Sequence, residues 1–130
     1  MKETVEKLIS NVGEFHKAFG ISGQDDDLRI KLYKEELDEY LDARTTEDKL
    51  DAVVDMLYIA CGTMDLYNLS FEDMPLGVYR APTSDEYYTE FTKWAYSGVI
   101  KSLLTQTDFP TKLILEAFDI VHASNMNKLS

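Results

Sequence analysis

Apolar residues recur at three- and four-residue steps along most of the chain, and no two-residue alternation is sustained, so the pattern predicts helices. Over residues 3–19, Val5, Leu8, Ile9, Val12, Phe15 and Phe19 share one face. Gly20 is a natural stop, with Gly23 close behind. Asp25, Asp26 and Asp27 then offer an N-cap and negative charge to a second helix over about 27–43. Leu28, Leu32, Leu37 and Leu41 read as its apolar stripe, flanked by Ile30, Tyr33 and Tyr40. Thr45 and Asp48 have the spacing of a weak capping box for a third helix, about 46–67. That stretch is apolar on most sides, which places it at the centre of a bundle. Gly62 within it costs about 1 kcal/mol relative to Ala, so the pattern predicts close approach of another backbone there. Residues 68–83 read as irregular, punctuated by Asn68, Pro75, Gly77 and Pro82. A fourth helix is expected from Ser84 to Thr105, with Phe91, Trp94, Ala95, Val99, Leu103 and Leu104 as its stripe. Pro110 suits the first turn of a last helix, which runs to about His122 or beyond through Leu113, Ile114, Ala117, Phe118 and Val121. The fold class is therefore all-α: a four- to five-helix up-and-down bundle with the third helix most buried.

A length of 130 residues suits one domain over 1–130. Charge changes the picture more. With 24 acidic against 13 basic residues and a net charge of −11, the surface repels phosphate backbones and anionic lipid. A nucleic-acid polymer and a membrane are thus excluded as first expectations, and an anionic substrate would need divalent cations. The one cysteine, Cys61, leaves no internal disulfide and no cysteine-rich zinc site, which fits a reducing, cytoplasmic setting. There is no run of about 18 apolar residues and no apolar block at the N-terminus.

Two acidic clusters stand out by position. Glu36 and Glu39 are three apart and share a face of the second helix, with Glu35 on its edge. Leu32, Tyr33 and Leu37 lie within a turn, so Glu36 should border the apolar seam; a solvated acidic face is the plain alternative. Asp51 and Asp55 lie one turn apart on the third helix, and Asp55 is embedded in an apolar stretch. Burying an ionised carboxylate uncompensated costs several kcal/mol. No Lys or Arg occurs between Lys49 and Arg80. Asp55 must meet a side chain from another helix, be protonated, or hold a metal. Like charges converging at a bundle interface call for a cation between them. All the donors are oxygens, which suits Mg²⁺ or Mn²⁺ better than zinc or copper.

Glu35-Glu36-Leu37-Asp38-Glu39 followed by Asp51-Ala52-Val53-Val54-Asp55 resembles the Glu-x-x-Glu … Glu-x-x-Asp signature of the all-α nucleotide pyrophosphohydrolases. That superfamily holds MazG-like proteins, dimeric dUTPases and phosphoribosyl-ATP pyrophosphohydrolase. Gly13-Glu14-Phe15-His16-Lys17-Ala18-Phe19-Gly20 and His122-Ala123-Ser124-Asn125-Met126-Asn127-Lys128 are similar to segments of the phage and bacterial phosphoribosyl-ATP pyrophosphohydrolase-like group. The resemblance covers about residues 5–67 and 110–128. It implies a MazG-like bundle that cleaves a nucleotide between its α- and β-phosphates and releases pyrophosphate. It also implies one or more Mg²⁺ ions that neutralise the phosphates and help activate water. Glu36, Glu39 and Asp55 would be direct ligands, and Glu35 would hold a second ion or accept the proton of the water. One departure matters. Where the resembled pattern places Glu three residues before the final Asp, this chain has Ala52; Asp51, on nearly the same face, is the candidate to take over.

Asn125 and Lys128, a helical turn apart, could meet phosphate, sugar or base edge; a fraying tail is the other reading. His16 faces as Val12 and Phe19 do and reads as a satisfied core or boundary histidine, with base stacking or sugar contact the sharper view. Tyr58, one turn after Asp55, reads as core packing or as a partner for a carboxylate or base. Asp119 and His122 have the spacing of one arm of a di-iron carboxylate site, but the second arm is missing. Tyr87, Tyr88, Trp94 and Tyr96 suggest bundle or subunit packing, and Arg29, Lys31, Lys34 and Arg44 read as surface pairs. Small helical units expose apolar faces, so a homodimer or homotetramer is expected. A non-catalytic acidic module that binds nucleotide or protein is the alternative function.

Overall fold

The computed structural model describes residues 1–73 and 85–128, with the backbone alone for 85–94. Among the described residues the chain forms five α-helices and no strand: α1 (Lys2–Phe19), α2 (Asp26–Asp42), α3 (Thr46–Leu66), α4 (Asp85–Thr105) and α5 (Thr111–Asn127). The punctuation is local chemistry. Gly20 closes α1 in the left-handed conformation, φ 67°. The Asp25 carboxylate accepts from the Leu28 N–H at 3.1 Å, and Thr45 Oγ1 accepts from the Asp48 N–H at 3.1 Å. Asn68, at φ 55°, ends α3 and lets the Leu69 N–H return to the Met64 carbonyl at 2.8 Å. Pro110 occupies the N-cap of α5. Ser84, expected to open the fourth helix, lies outside the described residues.

α3 is the hub, packed by α1, α2, α4 and α5. Val53, Val54, Leu57, Ala60, Cys61 and Met64 from α3 are buried against Val5 and Val12 of α1, Ile100 and Leu104 of α4, and Ile114 and Phe118 of α5. Burial pushes the Cys61 thiol far up, so it is an inert packing group. Beyond α3 the chain is fastened three times. The N–H of the buried Phe71 donates to Glu6 Oε1 (2.8 Å), that of Glu72 to Ser97 Oγ (3.0 Å), and Lys101 bonds Asp73 (2.7 Å). No helix among the described residues is long and apolar enough to cross a membrane.

α2 departs from its sequence pattern. At about 100° per residue, Leu37 lies about 180° from Leu28, so the leucines do not make one stripe. Leu28, Leu37 and Leu41 are exposed, Leu41 to 69% and Ile30 to 60%. The inward face is instead Arg29, Tyr33, Glu36 and Tyr40, spaced at fours and threes. Arg29 is therefore no surface pair. It is 8% exposed, and its guanidinium donates to Thr63 Oγ1 (2.9 Å) and the Ile59 carbonyl (2.8 Å) across α3. Gly62 is likewise not met by a backbone. A Cβ there would stand 2.9 Å from Arg29 Nη2 and 3.1 Å from His16 Cε1, so side chains of α1 and α2 fill the space. Side chains of Tyr87, Tyr88 and Trp94 lie outside the described residues; Tyr96 is half-buried against the core.

Candidate functional site

α2 and α3 run antiparallel: Arg29 reaches Ile59 and Thr63, while Glu39 and Ala43 lie by Asp48, Asp51 and Ala52. Midway along this seam Glu36, Glu39 and Asp55 converge, each offering a carboxylate oxygen within 4.8 Å of the others. Tyr33 and Tyr40, a turn to either side of Glu36, pack on the core and hold the edge of α2 down on α3. Oε2 of Glu36 is fully buried and has no hydrogen-bond partner. Burial, the Asp55 charge and the nearby Glu39 together push the Glu36 carboxyl up to about 7. Asp55 is also raised, by burial first and then by Asp51 and Glu39.

Glu39, Asp42, Ala43, Asp48, Asp51, Ala52 and Asp55 line an open groove of about 460 Å³. Five carboxylates and no cation among those walls would repel a bare phosphate. The orphaned Glu36 oxygen, the converging carboxylates and an all-oxygen donor set fit a hard divalent cation. Glu36, Glu39 and Asp55 are the residues that could hold it. Glu35 and Asp51 do not join them: Glu35 is exposed, and Asp51 is exposed at the groove wall, where its charge acts on Asp55.

The last turns of α5 come up beside Tyr58, one turn along α3 from Asp55. The ring of Tyr58 packs on Phe118 (centroids 5.3 Å) and edge-on to Phe15 (5.8 Å). Its hydroxyl meets His122 Nδ1 at 2.9 Å, and the Asn125 side chain lies beside it. Lys128 Nζ donates to Asn125 Oδ1 at 3.0 Å, and its charge favours ionised Asp55. Asn125, Lys128 and Tyr58 are thus brought to the acidic cluster. His16 is not. It is buried between α1 and α3, with Nδ1 2.8 Å from Asp65 Oδ2, next to Gly62 about 10 Å along α3 from Asp55. The polar partner that spacing did not reveal is His122. Paired in sequence with Asp119, which is exposed, it instead finds Tyr58 from 64 positions earlier.

The family model described as phosphoribosyl-ATP pyrophosphohydrolase matches residues 2–81, more than half of the chain, spanning Glu36, Glu39 and Asp55. No curated protein and no solved structure matches the chain significantly.

Proposed function

Because the chain belongs to the phosphoribosyl-ATP pyrophosphohydrolase family, we propose that it is a Mg²⁺-dependent nucleoside triphosphate pyrophosphohydrolase, with Mn²⁺ as a substitute. It cleaves between the α- and β-phosphates and yields a nucleoside monophosphate and pyrophosphate. The observation that carries this reading is the Glu36 oxygen, buried and unpartnered against Glu39 and Asp55. When bound, the cation supplies charge neutralisation for the phosphates and acidifies a water.

The chain's own residues do the rest. Glu36, Glu39 and Asp55 hold the cation, and the aromatic packing around Tyr58 keeps the inner side of the seam free of bulk water. Lys128 and Asn125 take the phosphate chain, the one by charge and the other by amide hydrogen bonding. Exposed Glu35 accepts the proton of the attacking water as its oxygen bonds to phosphorus; the bridging oxygen leaves with pyrophosphate. Asp51 acts at the groove wall through a water in place of the carboxylate that Ala52 lacks. The chain works in the cytoplasm as a homodimer or homotetramer, a second copy covering Ile30, Leu37 and Leu41, which share one exposed side of α2.

Pyrophosphate release from each common NTP and dNTP, with and without Mg²⁺ or Mn²⁺, tests the reading. Glu36→Gln and Asp55→Asn should abolish release with helical circular dichroism intact. Activity that survives both changes refutes the site. A wild type that binds nucleotides but releases nothing is a nucleotide-binding regulator, the reading Ala52 favours.

A further inference from the structure

We propose that His122 and Tyr58 are positioning residues, a directional hydrogen-bond relay that aims Asn125 and Lys128 at the phosphates of the substrate. This rests on the pyrophosphohydrolase reading for the identity of the ligand. Three of the four members of the relay, His122, Asn125 and Lys128, come from α5 or its cap and lie outside the span matched by the family model, while Tyr58 lies within it.

The direction is fixed from one end. An ammonium only donates, so Asn125 must present Oδ1 to Lys128 Nζ, 3.0 Å away. That turns the amide nitrogen of Asn125 toward the Tyr58 oxygen beside it, and the relay has the amide donate there. The Tyr58 proton then goes to His122 Nδ1 at 2.9 Å, and the imidazole carries its own proton on Nε2. Every group along this line gives or takes one hydrogen bond in the same sense.

The far end is rigid. Tyr58 is 8% exposed, and its ring is wedged by Phe15 and Phe118 while the His122 ring lies over it at 6.0 Å. The hydroxyl is a post anchored in the core of the bundle. Lys128 sits one residue past the end of α5, where a long side chain would otherwise sample many rotamers. Tethered through Asn125 to that post, it is held near Asp55, the residue its charge already acts on. Preorganising a cation in this way lowers the entropy lost when phosphate arrives. Tyr58 thus acts on substrate through Asn125, and His122 acts through Tyr58.

Inorganic tripolyphosphate is the probe, since it shares the phosphate chain with every candidate substrate. Its affinity is read calorimetrically with Mg²⁺ present, and Mn²⁺ affinity is read separately by paramagnetic resonance without phosphate. Tyr58→Phe and His122→Leu should each weaken tripolyphosphate binding about three- to tenfold, the size of one net hydrogen bond, and leave Mn²⁺ affinity unchanged. His122→Gln, which restores an acceptor, should recover most of the loss. On a Lys128→Ala background, Tyr58→Phe should add little, because the two losses share one route. Unchanged affinity in both single variants, full additivity with Lys128→Ala, or wild-type binding that ignores Lys128→Ala overturns the relay. Pyrophosphate release, measured alongside, separates the two readings. No release with an intact non-additive cycle sinks the hydrolase alone, and release with a flat cycle sinks the relay alone.

Discussion

Replacing Glu36 by Gln should make the metal-free protein more stable while destroying its use for the cation. In the folded chain the Glu36 carboxyl is pushed from 4.5 to about 7 by burial, Asp55 and Glu39. Each tenfold change in acidity is worth about 1.4 kcal/mol, so an unscreened group would cost the ionised fold about 3 kcal/mol. The site is open to solvent along its groove, and screening brings the expected penalty to about 1–2 kcal/mol. The sign follows from the raised value: the stability contributed by protonated Glu36 is fully present below about 4.5 and is lost as pH rises through about 7. Gln keeps the shape, carries no charge, and can donate its amide to Asp55 or Glu39. Urea unfolding in chelator at pH 8 should therefore show Glu36→Gln more stable than wild type by about 1–2 kcal/mol, and the gap should narrow steadily toward pH 5. Mg²⁺ in large excess should stabilise the wild type by about 2–3 kcal/mol, as at a hundredfold the dissociation constant, and leave the variant unmoved. A variant less stable at pH 8 in chelator, or a gap that stays constant from pH 5 to 8, would refute the reasoning.

Three further outcomes are expected. Arg29→Met should cost about 1–3 kcal/mol in urea unfolding, because the Ile59 carbonyl and Thr63 each lose a donor across α3; a surface arginine would cost almost nothing. Gly62→Ala should destabilise by about 1 kcal/mol despite the better helix propensity of alanine, since the new methyl meets Arg29 and His16 side chains that are already engaged. Leu41→Lys should shift the mass measured by light scattering toward the monomer, as this leucine is 69% exposed on the outer face of α2; an unchanged oligomer would place the contact elsewhere.

What could be read from the chain alone depended on how local the cause was. The ends of α1, α2 and α3 were legible because Gly20, Asp25 and Thr45 act within four residues of themselves. Glu36 and Asp55 were legible because a carboxylate in a greasy seam is conspicuous in one dimension. The face of α2 was misread because its inward residues, Arg29 and Glu36 among them, are polar, so hydrophobic periodicity pointed to the leucines that ended outside. Gly62 was recognised as a crowded position, but what crowds it comes from two other helices. Spacing pairs His122 with Asp119, three residues before it, while its hydrogen bond is made to a residue 64 positions away.

The two halves of the acidic cluster stand on very different ground. Asp55 rides on the hub helix with buried Val53, Val54, Met56 and Leu57 as immediate neighbours, so any shift of register there disturbs the whole interior. Glu36 and Glu39 ride on a helix whose inward face includes only one buried residue, Arg29. Substitutions should thus be better tolerated on the α2 side of the cluster than on the α3 side. Descendants of this chain that acquire a new ionic diet should carry their changes on α2, around an aspartate that has nowhere to go.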